Sequence, residues 1–395
     1  MAERDVLWVL NPAGQRASGE WIDDTLRERA AERGMLGKLW RAADFPRQRV
    51  EVIRAADPFV EVNDLFYRRG WTDGLPIVPP TLGRVEEMLA RAGRGRNDSL
   101  GELDPLRGLA TIEKVAANAV MAGCGPEHLP VVLAAVEAIA EPEFNLRGVQ
   151  TTDENVAPLL IVSGPAAAAL EINAGFGALG PGWRANATIG RALRLVMNNI
   201  GGGWPGAVSL AGLGSPARYT LCLAENAAQS PWPPLHVELG LDKSESVLVV
   251  MRAECAINLT GGLEEIASVM GSATSAFTML HEGKVAVALA PYVARRLAEK
   301  GLSKDDVKRR LFERGRMAAE TLKHSWLWTT IAGREGWPRW VREAVERGAA
   351  VPAVRAAEDI TLIVAGGDLE IPQHAYFPSW GFPPCRIVKM IHVPR

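Results

Sequence analysis

The sequence predicts an α/β protein with mixed sheets flanked by helices, in two lobes, and a site between strand ends and helix N-termini. Three observations carry this. Short apolar runs alternate with helical patterns along the chain. Glycines stop several of those runs, as in PLLIVSGP (158–165) and DITLIVAGGD (359–368), where site residues of α/β sheets collect. At 395 residues, 48% of them hydrophobic and 23% charged, the chain is long enough for two or three domains with a sizeable core.

DVLWVL (5–10) reads as a buried strand and SGEWIDDTLRERAAERG (18–34) as a capped amphipathic helix. Residues 45–69 are charged and expected to be helical up to FYRRGW. The proline-rich turn segment TDGLPIVPPT (72–81) then introduces the helix GRVEEMLARAG. A boundary near residue 55 is expected, giving an N-terminal extension over 1–55, a lobe carrying the site over 56–240 and a second lobe over 241–395. TIEKVAANAVMAG and EHLPVVLAAVEAIA predict two helices broken at CGPEHLP. Strands are expected at PLLIVSGP, YTLCLAEN (219–226), SVLVVMRAEC (246–255) and KVAVALAP (284–291), the last followed by the helix YVARRLAEKG. SKDDVKRRLFERG (303–315) opens on Ser303 with Asp305 and Asp306 in its first turn, as a capped helix should.

Composition excludes several function classes. A net charge of −2 gives no bulk attraction to nucleic acid or to an anionic membrane. The start lacks a signal-peptide pattern, and no apolar run reaches the roughly 18 residues that span a bilayer. Four separated cysteines without a CxxC pair argue against a disulfide scaffold or a zinc ribbon, so a reduced, cytoplasmic setting is expected. HExxH, GxSxG, Walker and GxGxxG patterns are missing from the sequence, and neither a metal nor a nucleotide cofactor is expected.

Three stretches carry potential chemistry. GPGWRANATIGRALR (180–194) sits in a segment with nine glycines between Gly175 and Gly206. A helix starting near Ala187 would offer unpaired N–H groups to an anion, with Arg184 adding a bidentate contact and Asn186 or Thr188 close by. The bland alternative is that Asn186 or Thr188 caps the helix and Arg184 is solvated. MAGCGPEHLP (121–130) sets Cys124 between glycines ahead of a helix opening at Pro126, a setting that lowers a thiol pKa; His128 follows. A small buried cysteine at a helix junction is the alternative. LAENAAQSPWPPLHVELG (223–240) places Glu225 and Asn226 at a strand end and His236 beyond a rigid loop holding Trp232, a plausible acid–base pair or a plain turn. Asp73 in a TDG turn and Thr152 in TTDEN are further candidates for holding substrate, or simple turn and connector residues.

The runs GWTDGLPIVPPT, VAANAVMAGCGPEHLPVVLAAVEA, GPGWRANATIGRALRLVMNNIGG and AENAAQSPWPPLHVE together resemble bacterial proteins associated with the UGSC (seleno)protein family. The resemblance covers roughly residues 60–390. In that group a cysteine or selenocysteine redox domain occurs beside, or fused to, a domain carrying these segments. The U/C-G-S-C motif itself is missing from this sequence, so its redox chemistry is not carried over.

The expected function is a cytoplasmic, homo-oligomeric enzyme that hydrolyses or eliminates from a small anionic organic molecule, with no cofactor. Cys124 would be nucleophile or acid, Glu225 and His236 acid–base partners, and Arg184 the anion holder. The rival expectation is a non-catalytic binding or scaffold subunit that completes the site of a UGSC-type thiol or selenol partner, its twelve tryptophans suited to an interface. A metal-dependent lyase stands third.

Overall fold

The computed structural model describes residues 6–13, 48–331 and 336–392. The helix expected over 18–34 lies outside them. The chain is an α/β protein that divides into two compact units. The first unit comprises residues 1–155, 183–222 and 389–395, and the second 156–182 and 223–388. The division is interleaved: the positions expected as boundaries, 55 and 240, fall inside the first and second units respectively.

In the first unit β1 (Val6–Leu10) pairs antiparallel with β2 (Val50–Arg54), and α1 (Pro58–Arg68) follows. The helix expected over 45–69 thus begins only at Pro58. VEVIR alternates in burial, and its period-two pattern pairs with β1 before Asp57 caps α1 through Phe59 and Val60 N–H. After α2 (Leu82–Leu89) comes the antiparallel hairpin of β3 (Ser99–Leu103) and β4 (Gly108–Thr111). The unit's core is helical: α3 (Ile112–Ala122), α4 (Leu129–Ala140), the short α5 (Leu146–Thr151) and α6 (Arg184–Asn199). Every residue of α3 but Lys114 is buried, and the helix packs on both α4 and α6. Asparagines knit this packing: Asn199 Nδ2 donates to Asn118 Oδ1 at 2.7 Å and to Trp71 O at 3.0 Å. Such buried amides are stable only when paired.

In the second unit β5 (Ala157–Ser163) pairs antiparallel with β7 (Val247–Ala253) over seven residues, both strands buried throughout. Their sheet runs β14-β7-β5-β6, with β6 at Cys222–Ala224 and β14 at Ile387–Met390. A second sheet runs β12-β9-β13-β8, built from β8 (Ile257–Thr260), β9 (Val285–Leu289), β12 (Ile360–Val364) and β13 (Gln373–Phe377). Its β9 and β12 are parallel, the other pairs antiparallel. Two-residue strands β10 (Arg316–Met317) and β11 (Val351–Pro352) form a small ladder. Helices α7 (Leu263–Met270), α8 (Pro291–Glu299), α9 (Lys304–Arg314) and α10 (Arg339–Glu346) bury their apolar residues in one cluster with the β12/β9 sheet. Ser303 caps α9 reciprocally with Asp306, as expected.

The tail FPSWGFPPC is held by a buried arginine. Arg252 Nη1 donates to Phe382 O at 2.8 Å, its Nη2 to Pro383 O and its Nε to Cys385 Sγ at 3.1 Å. The guanidinium also lies 5.4 Å from the Trp380 ring centroid.

Candidate functional site

The residues singled out in the sequence divide between the units. Asp73, Cys124, Thr152, Arg184, Asn186 and Thr188 belong to the first, and Glu225, Asn226, Trp232 and His236 to the second.

Cys124 is not the exposed, acidified thiol that its glycines suggested. It is buried, its Sγ donates to Thr188 O at 3.3 Å, and burial pushes the thiol up to about 12. The structure opens with a single 3₁₀ turn over Pro126–His128, and the helix proper starts at Leu129. A dipole that could lower a thiol pKa is therefore displaced, and burial decides. His128 is buried too and accepts from Gly125 N–H at 3.2 Å, closing that turn.

The helix expected at Ala187 begins at Arg184. Arg184 occupies its first turn, exposed, and donates from Nε to Gly123 O at 2.9 Å. Asn186 caps nothing; it is buried within the helix and donates to Cys222 O at 3.2 Å. Thr188 Oγ1 returns to Arg184 O at 2.8 Å. Asp73 is gripped by Arg191 at 2.7 and 2.9 Å, and Thr152 accepts from Glu154 N–H at 3.1 Å in a connector.

Two arginines come together instead toward the C-terminal half of α6. A cavity of about 890 Å³, wholly within the first unit, is lined by Arg194, Asn198, Ser209, Arg218, Leu213 and Tyr219 among others. Arg194 is buried; its Nε donates to Arg218 O at 2.8 Å, and its Nη2 has no partner. Burial, with the neighbouring Arg218 charge adding to it, pushes the Arg194 guanidinium down to about 9. Burial lowers Arg218 as well, whose Nη2 donates to Ser209 Oγ at 2.6 Å. Among the described lining residues the one acid is Asp73, already held by Arg191. The two arginines are close because Gly190 lets α6 approach the segment bearing Arg218. A Cβ there would fall on Thr220 Oγ1 and come within 3.0 Å of Leu221 N.

In the second unit Glu225 and His236 do meet, through a residue the sequence reading passed over. Ser163, the last residue of β5, lies 2.6 Å from Glu225 Oε2 and 2.9 Å from His236 Nδ1. His236 N–H also donates to Ser163 Oγ at 3.2 Å, and Leu235 N–H to Glu225 Oε2 at 2.6 Å. Lys304 Nζ stands 3.5 Å from Glu225 Oε1 and 2.8 Å from Glu238 Oε2. The serine hydroxyl sits between acid and imidazole, whereas nucleophile activation needs the imidazole in the middle. All three side chains are buried, so the cluster braces β5 against the 225–236 loop. Ser163 was findable from the SGP stop that ends β5.

Asn226 and Gln229 close a turn on each other, and Trp232 is buried with Nε1 donating to Leu302 O at 2.9 Å. Neither faces a described cavity. No group of three or more His, Cys, Asp or Glu among the described residues is arranged to hold a metal, and none of the described helices is long and apolar enough to cross a membrane. Comparison with protein-family models, with curated proteins and with solved structures finds no match to this chain.

Proposed function

We propose that the protein takes a small organic anion into the cavity of its first unit and acts on it as a hydrolase or lyase. Arg194 and Arg218 hold the charged group. The observation that carries this reading is a buried guanidinium, Arg194, beside the half-buried Arg218 on one cavity wall, whose one described acid, Asp73, is already held by Arg191. A buried charge without a partner is costly, and a ligand anion offsets that cost. The planar guanidinium fork suits a carboxylate or phosphate. Leu210, Leu213, Pro216 and Tyr219 supply an apolar wall for the rest of the molecule.

Calorimetric titration with benzoate, phenyl phosphate and benzyl alcohol tests the reading. The two anions bind, the alcohol does not, and Arg194→Gln weakens anion binding by about tenfold or more with the fold retained, as expected for a charged hydrogen bond. Equal binding of alcohol and anions removes it.

A second reading, a non-catalytic binding subunit, is favoured by one observation: the acid on the cavity wall is tied to Arg191, and Cys124 is buried and protonated. A bound anion that NMR shows chemically unchanged after prolonged incubation supports this reading over the enzyme.

A further inference from the structure

Resting on the anion reading, we infer that the ligand's head is the doubly charged phosphoryl group of a phosphate monoester, not a carboxylate. The side chains that carry the cavity's charge present donors to it. Arg194 spends Nε on Arg218 O at 2.8 Å and has Nη2 sealed in the interior, so Nη1 is the end it shows. Asn198 has its Oδ1 sealed in the same way and shows its NH₂. Arg218 ties Nη2 to Ser209 Oγ at 2.6 Å, which leaves Nη1 for the cavity. Arg194 and Asn198 lie four apart on α6 and so share one helix face. The Arg194 bond to Arg218 O holds the segment bearing the third donor against that face.

Charge decides among the anions that three donors could hold. Arg191 already cancels Asp73, so Arg194 and Arg218 leave two positive charges unbalanced by any described lining acid. A carboxylate brings one charge and two oxygens, and balances half of that. A phosphate monoester brings close to two charges at neutral pH and three terminal oxygens, one for each donor. Arginine forks pair with such a group directly. A sulfate ester has the three oxygens but a single charge. A malonate has both charges but divides them between two planar groups. Leu213, Pro216 and Tyr219 give the cavity an apolar side, which suits the organic part of an ester.

Calorimetry on the wild-type protein near neutral pH tests this with phenyl phosphate, phenyl sulfate, benzoate, phenylmalonate and benzyl alcohol. Phenyl phosphate binds about tenfold tighter than the other three anions, the worth of one more charged hydrogen bond. Its affinity falls as the pH is lowered through about 6, where the ester regains a proton, while that of phenyl sulfate stays level. Arg218→Gln closes most of the lead over phenyl sulfate, because one cation then remains for one charge. Phenyl sulfate or benzoate binding as tightly as phenyl phosphate means a site for single charges, and phenylmalonate binding tightest means a dicarboxylate site. Either result, or a level pH profile for phenyl phosphate, overturns the phosphoryl inference and leaves the anion reading standing. Binding of the alcohol as tightly as the anions, or of none of the anions, removes the anion reading and this inference together. The wild-type series and its pH profile stand alone if Arg218→Gln does not fold.

Discussion

Arg194 is a cation that the free protein holds at a cost, and its titration is the most direct consequence. Burial pushes its guanidinium down to about 9, well below the ordinary arginine value. Below about pH 9 it is charged and ready for an anion. Above that pH the free protein loses the proton, so carboxylate affinity falls by about tenfold per pH unit while the ligand's own charge stays constant. The unfolded chain keeps this proton up to its ordinary value. Between about 9 and that ordinary value the unfolded state therefore binds more protons, and Arg194's penalty on stability shrinks as pH rises. A titration series from pH 7 to 11 checks the affinity limb, and a flat profile across it would take Arg194 out of the binding event. The cysteines make a second residue-scale prediction. Cys124, Cys222 and Cys385 are buried, and Cys255 is half-buried. Limiting iodoacetamide on the native protein should label Cys255 first, read by peptide mass spectrometry; first labelling at Cys124 would restore the thiol chemistry that burial argues against.

At the scale of elements, what the sequence showed well was what local patterning dictates. The α9 cap, the strands β5, β7, β9 and β12, and the helices α3 and α4 follow from apolar period and from turn residues. β2 was misread because its charged residues hide a two-residue period that only pairing with β1 makes meaningful. The site was legible only in part. Arg184, first in the glycine stretch, drew attention, whereas Arg194 looked like one more arginine on an amphipathic helix. What distinguishes Arg194 is burial beside Arg218, a tertiary fact of the Gly190 approach. Glu225 and His236, expected as an acid–base pair, come together through Ser163 in a buried brace. That brace carries its own prediction. Ser163→Ala leaves the His236 N–H and one Glu225 lone pair unmatched in the interior, at about 1–3 kcal/mol of stability. Urea melts measure it. Unchanged stability would show that the cluster is not structural and reopen Ser163 as a reacting group.

For the whole molecule, the interleaved chain path decides which fragments can exist. The first unit is built from three separate stretches and the second from two. Cutting after residue 240 removes β5, β6 and Trp232 from the second unit, leaving β7 without its seven-residue partner. The fragment 241–395 should therefore be insoluble or lack cooperative melting when expressed alone. The fragment 1–240 keeps β6 beside β5 but leaves the other edge of this seven-residue buried strand without β7, a template for aggregation. Circular dichroism and size-exclusion chromatography of the two fragments test this, and two well-folded monomers would mean that the units are simpler than their contacts.

The pairing of β5 with β7 also sets a timetable for biosynthesis. β5 leaves the ribosome as APLLIVS, buried on both faces in the finished protein, and its partner VLVVMRA is translated only after the long 164–246 stretch. At ordinary elongation rates that delay is roughly five to twenty seconds. For that interval a strand with no polar face waits without its neighbour, far longer than the microseconds a hairpin needs to close. Slowing translation between codons 164 and 246 should therefore raise the aggregated fraction in a cell that lacks a holdase, and an unchanged fraction would show that β5 is sheltered before β7 is made.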